Sequence, residues 1–117
     1  VRRRGRARFG LGKQRRLTRR SGFEHLLREG ARRSGSGFTL YLAWRQDGPP
    51  RLGILISRKH AAKATVRNQL KRCIREAFRL EQGGLGALDL LVRPPYGARP
   101  GPRLIGRLRA MLAELRP

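Results

Sequence analysis

VRNQLKRCIREAF, residues 66–78, is the stretch from which the rest of the chain can be read. At about 100° per residue, Val66, Leu70, Cys73, Ile74, Ala77 and Phe78 fall within one arc of a helix. Lys71, Arg72, Arg75 and Arg79 fall within the opposite arc, with Arg67 at the border. One face therefore packs on a sheet, and the other carries cations one turn apart. A merely solvated face would mix signs, because i,i+4 pairs of opposite charge stabilise a helix and like charges oppose it. Here only Glu76 and Glu81 interrupt, and Lys71, Arg75 and Arg79 succeed one another without an expected counter-charge. The repulsion, about a few tenths of a kcal/mol per pair, implies a polyanionic partner.

The flanks extend the pattern in both directions. The helix is predicted to start between residues 61 and 64 and to end before Gly83 and Gly84. RLGILIS (51–57) precedes it, a nearly continuous apolar run expected of a central strand covered on both faces. Before that, FTLYLAW (38–44) alternates: Phe38, Leu40, Leu42 and Trp44 share one face, Thr39, Tyr41 and Ala43 the other. QDGPP turns the chain between these two strands. SGFEHLLREG (21–30) reads as a short helix, with Ser21 and Glu24 in capping-box spacing, a Phe23, Leu26 and Leu27 stripe, and Gly30 as a stop. ARRSGSG (31–37) reads as a turn-rich connector. Downstream, ALDLLVR (87–93) is a strand closed by Pro94 and Pro95. After a Pro/Gly-rich loop, RLIGRLRAMLAEL (103–115) sets Leu104, Ile105, Leu108, Met111, Leu112 and Leu115 on one helical face, read as core. Helix, strands, helix, strand, helix gives a small α+β layer.

Size and charge bound the function. The chain has 117 residues, enough for one domain that buries roughly 65% of its unfolded surface. There are 29 Lys and Arg against seven Asp and Glu, a net charge of +22. Self-repulsion on that scale is naturally offset by a polyanion, with nucleic acid the leading partner and an anionic membrane surface the rival. The cations are mostly Arg, whose planar fork suits phosphate. Residues 1–16 form a basic arm and 17–117 a single domain. The first 20 residues hold ten cations and no acid, so the arm is a nucleic-acid tail or a plain solvated terminus. No segment nears the roughly 18 consecutive apolar residues of a membrane span, and no secretory signal is present, so a cytoplasmic location is expected. A start at Val1 rather than Met is expected of a trimmed longer product.

Catalytic chemistry is poorly provided for. Cys73 is the single cysteine, which excludes an intrachain disulfide and a Cys-based zinc site; on the apolar face it reads as a buried thiol. His25 and His60 lie far apart and share no ligand spacing. No paired carboxylates, phosphate-binding loop or nucleophile elbow appears, and seven scattered acids are ill-suited to hold catalytic Mg²⁺.

ISRKHAAKATVRNQLKRCIREAFR (56–79) resembles the signature of the protein component of bacterial ribonuclease P: a strand ending in Ser, two cations, then a helix with Arg-Asn-Arg, Lys-Arg and Arg-x-Ala-Phe. The likeness spans residues 17–115, including the first helix, FTLYL and DLLVRP. Gln69 departs from the pattern, standing where the second Arg of Arg-Asn-Arg is usual, and Leu27 stands where an aromatic is frequent. The resemblance implies one domain ordered helix-strand-strand-strand-helix-strand-helix around a four-stranded sheet, with a left-handed βαβ crossover. It implies an RNA-binding subunit of a ribonucleoprotein endoribonuclease, not itself catalytic. A catalytic RNA holds Mg²⁺ and removes the 5′ leader of precursor tRNA, with one protein per catalytic RNA and no cofactor on the protein alone. Arg58, Lys59, Arg67, Asn68, Gln69, Lys71, Arg72 and Arg75 are implied contacts to the catalytic RNA. Phe23, Leu27, Thr39 and Tyr41 are implied contacts to the leader, although Tyr41 is equally placed to be buried by a terminal helix. A small ribosomal-type structural RNA-binding protein shares the charge, the arm and the layer. A self-sufficient nuclease is disfavoured by the missing acid or histidine cluster.

Overall fold

The computed structural model describes residues 20–115, with side chains from residue 24 onward. The arm expected over residues 1–16 lies outside them. The elements in order are α1 (Arg20–Glu29), β1 (Ala31–Gly35), β2 (Phe38–Trp44), β3 (Arg51–Ile54), α2 (Ala64–Glu81), a 3-10 turn (Gln82–Gly84), β4 (Leu88–Arg93) and α3 (Pro102–Ala113). The strands form one mixed sheet in the order β1-β2-β4-β3. β1, β2 and β4 pair antiparallel, and β3 runs parallel to β4, with α2 as the crossover between them.

Strand alternation sorts the two faces as expected. Phe38, Leu40 and Leu42 meet Leu90 and Val92 beneath α2 and α3, forming the main core. α2 contributes Leu70, Cys73, Ile74, Ala77 and Phe78, the expected arc, with Val66 partly buried at its edge. Each large side chain so buried is worth roughly 1.5–3 kcal/mol. Leu104, Leu108, Leu112 and Leu115 bury the stripe of α3, with Ile105 and Met111 at its margin. The opposite sheet face carries a smaller cluster, Leu26 of α1 on Tyr41 and Leu91. The domain is thus α+β in three layers: α2 with α3, the sheet, and α1.

Three expectations are corrected. Residues 31–35 of the connector are a strand, β1, joined to β2 by a two-residue turn at Ser36 (φ 51°) and Gly37 (φ 84°). Both φ values are positive, as a tight hairpin with the native strand twist requires. The strand escapes periodicity because Ala31, Arg32, Arg33 and Ser34 are all exposed, leaving no apolar face to read. β3 is an edge strand, not a central one, and β4 holds the centre. Its apolar run reports cover on both faces rather than strands on both sides: Leu52 and Ile54 pack in the main core, while Leu55 packs against the α1 cluster. α1 begins at Arg20, so Ser21 sits inside the first turn rather than at the N-cap. Gly30 does end α1. A Cβ there would lie 2.7 Å from Leu26 O and 3.0 Å from Leu42 O, so the helix end and β2 approach closely only because it is glycine.

Candidate RNA interface

The outer face of α2 carries the cations the sequence placed there, but they are not equivalent. At the N-terminal end, the Arg67 guanidinium donates to the carbonyls of Ala61 (3.0 Å) and Ala62 (2.9 Å), tying the ridge to the preceding loop. Lys63, at the N-cap, offers no side-chain cap, and the first turn has no acid, so the positive helix end adds to the cations. Arg58 and Lys59 are exposed in the loop before it, where Ser57 Oγ accepts the Lys59 N–H at 3.3 Å. Asn68, Gln69 and Arg72 are exposed, and Lys71 and Arg75 are half-buried on the same helix.

The C-terminal half behaves differently, which corrects the expected run of uncompensated cations. Arg79 grips Glu76 through two hydrogen bonds, of 3.0 and 2.7 Å, and its guanidinium holds the Glu76 carboxyl below its usual pKa. Arg109 of α3 reaches Glu81 at 2.7 Å. Charge is thus largely neutralised from Glu76 onward. Along the sequence, the acid-free part of the ridge runs from Arg58 to Arg75. Among the described residues, no group of His, Cys, Asp and Glu is close enough to hold a metal ion.

On the other side of the sheet, the four leader candidates separate. Phe23 lies in α1 and Leu27, in the same helix, is 42% exposed. Thr39 and Tyr41 are buried, at 6% and 8% exposure. Tyr41 packs under α1, the second of its two expected placements, and the Arg32 guanidinium lies 5.9 Å from its ring centroid. Thr39 Oγ1 accepts a hydrogen bond from Arg93 at 3.2 Å. Sequence reasoning passed over Arg32 and Arg93, although parity places both on this face: Arg32 pairs with Tyr41, and Arg93 with Thr39. At the far end of the face, Asp89 binds Arg45 (2.9 Å) and Arg51 (2.8 Å). Burial raises the Asp89 carboxyl, but the Arg51 and Arg45 guanidiniums more than offset that, so its pKa lies below the usual value.

Cys73 is a buried thiol whose Sγ accepts the Gly101 N–H at 3.3 Å, which ties the start of α3 to α2. His25 is exposed, whereas His60 is buried and stacked on Tyr96.

Comparison with known proteins identifies the family and the fold. The family model described as Ribonuclease P matches residues 11–115. The ribonuclease P protein component of Nitrosococcus oceani is 36% identical over 99 residues, covering 83% of both chains. That of Methylococcus capsulatus is 37% identical over 84 residues, covering 72% of this chain and 66% of the relative. Among solved structures, the ribonuclease P protein of Thermotoga maritima superposes with a TM-score of 0.75 at 28% identity, over 87% of this chain and 98% of that one. A Staphylococcus aureus ribonuclease P protein mutant shares the fold with a TM-score of 0.79 at 24% identity, over 92% of each chain. The chain belongs to the ribonuclease P protein family, as the protein component of that ribonucleoprotein endoribonuclease.

Proposed function

We propose that the chain docks on the catalytic RNA through the acid-free part of α2 and its approach loop, and holds the precursor-tRNA leader on the α1 side of the sheet. The observation that carries this reading is the ridge of Arg58, Lys59, Arg67, Lys71 and Arg72, flanked by the polar Asn68 and Gln69 and continued by Arg75. Such groups meet phosphates and sugars, which fixes position without reading sequence. A separate surface is then needed for the leader. Leu27, with the α1-face cations Arg32 and Arg93 over Thr39 and Tyr41, supplies an apolar wall and two guanidiniums on a shared floor. With Tyr41 buried, its role is to hold that floor rather than to offer its ring face to a base. Chemistry falls to the RNA and its Mg²⁺, with one protein per catalytic RNA, in the cytoplasm.

Cations on the protein relieve phosphate repulsion that Mg²⁺ otherwise screens. The test combines the chain with cognate ribonuclease P RNA and precursor tRNA across a Mg²⁺ titration. The protein alone should leave precursor tRNA intact, and its addition should shift RNA-dependent cleavage to lower Mg²⁺. Cleavage by repurified protein without RNA would overturn the reading.

A further inference from the structure

The loop that follows β4, PPYGARPGP (94–102), takes no part in either surface described above, yet it builds a cavity of about 500 Å³ against the β1–β2 turn and the start of α3. Tyr96, Arg99, Arg103 and Arg107 line it, with Ser36 at the hairpin tip and Gly101 at the helix start. The volume lies in the range of clefts that take small ligands. Tyr96 is 61% exposed, so part of its ring is open to solvent. Its orientation is nonetheless fixed, because one face stacks on the buried His60 ring at 4.6 Å and 25°. The loop itself is pinned where Gly97 N–H donates to His60 O at 3.2 Å. A braced ring with an open side is a preformed stacking platform.

The polar half of the cavity has one sign. Among the described residues, no acceptor holds the Arg99, Arg103 or Arg107 side chains, and all three are exposed. Arg103 and Arg107 are four apart on α3, so they project from one face, one turn apart. The α3 N-terminus adds to them: Gly101 at the N-cap has no side chain to cap with, Pro102 follows, and the first turn carries no acid. The Gly101 N–H contacts Cys73 from the buried side of α2, so the cavity is set apart from the exposed ridge.

The geometry points to a third RNA subsite here: Tyr96 stacks one unpaired base, while Arg99, Arg103, Arg107 and the α3 N-terminus take its flanking phosphates. This rests on the reading of the chain as an RNA-binding subunit. Cations alone would suit any polyanion, but the braced ring beside them selects a ligand with a flat aromatic group next to its charge. An unpaired nucleotide meets both demands, with little preference among bases.

The probe is a short oligouridylate, with its affinity for the whole chain measured across a salt series. Tyr96→Ala should weaken binding about tenfold, and Tyr96→Phe should keep it, because stacking is worth roughly 1–3 kcal/mol per base. Arg103→Ala with Arg107→Ala should weaken binding and lower the slope of log affinity against log salt by roughly 0.7 for each phosphate no longer neutralised. The arginine pair decides the matter alone if Tyr96→Ala lowers the melting temperature. Arg109→Ala, on the same helix but outside the cavity and already engaged by Glu81, should leave oligouridylate binding near wild type. The source of the nucleotide follows from two further affinities of Tyr96→Ala: weaker assembly assigns it to the catalytic RNA, weaker precursor-tRNA binding by the assembled enzyme assigns it to the substrate. Unchanged oligouridylate binding in both cavity variants overturns the subsite, as does competition by a hexaglutamate peptide equal to that of oligouridylate. Loss of assembly in Arg72→Ala with the cavity variants silent sinks the subsite and spares the proposed function; the reverse pattern does the opposite.

Discussion

The His60 ring is held from several sides. Its Nδ1 accepts the Ser57 N–H at 2.9 Å, Ser57 Oγ lies 3.3 Å from the same nitrogen, and Tyr96 stacks on the ring. Nε2 is buried without a partner among the described residues. Burial first, and the Arg93 charge second, push the His60 pKa below its ordinary value of 6.5. The fold therefore holds the neutral ring, while the unfolded chain takes up a proton near that ordinary value. His60 contributes fully above pH 6.5, and its contribution is lost as pH falls from there through the lowered folded value. Asp89 is depressed too, but from an ordinary value of 3.8, so its loss comes only at more acid pH. The melting temperature should thus fall between about pH 7.5 and 5.5, and His60→Gln should flatten that fall. Equal falls in both proteins would show that other groups titrate there. Nothing in the spacing of the sequence announced this site, because His60 and Tyr96 lie in the loops after β3 and β4 and meet only because those strands run parallel side by side.

At the scale of elements, legibility followed exposure. α2 and α3 could be read because each has one wet and one dry face, and β2, though covered on both faces, because its large apolar residues alternate with Thr39, Tyr41 and Ala43. β1 could not, since its first four residues are all exposed. β3 was recognised as a strand but misplaced, because a continuous apolar run reports covered faces and says nothing about neighbours in the sheet. The ridge on α2 was legible as composition, whereas its division into a bare half and a paired half was not. The Glu76 and Arg79 spacing permits a pair, yet only the structure selects it over contact with Arg72. This division makes a prediction. Arg72→Ala should weaken binding to the catalytic RNA by about 1–3 kcal/mol, as for removal of a charge-assisted hydrogen bond. Arg79→Ala, whose guanidinium is already engaged by Glu76, should cost several-fold less. Gln69→Arg should leave affinity unchanged or raise it. Binding isotherms for the three variants check this, and equal losses at Arg72 and Arg79 would make the whole helix face one undifferentiated cation field.

For the whole molecule, the fold and the partner pull against each other through charge. The chain carries +22, and its few acids include Glu76, Glu81 and Asp89, each already engaged by arginine. Surface pairs such as Glu76 with Arg79 add little and are screened by salt. The repulsion among the remaining cations is also screened, and there is far more of it. Adding NaCl from about 0.05 to 0.5 M shortens the screening length from roughly 14 Å to roughly 4 Å. The free chain should therefore melt at a higher temperature in the higher salt, while its affinity for RNA falls steeply over the same range. The opposite trends share one cause, since salt and RNA compete to neutralise the same charges. Bound RNA should likewise raise the melting temperature of the protein at low salt, and lose that effect as salt rises. Calorimetry of the free chain and the complex at matched NaCl concentrations measures both. A melting temperature of the free chain that falls with NaCl would mean that the few ion pairs outweigh the net repulsion, and that the excess charge does not make the isolated fold dependent on its RNA.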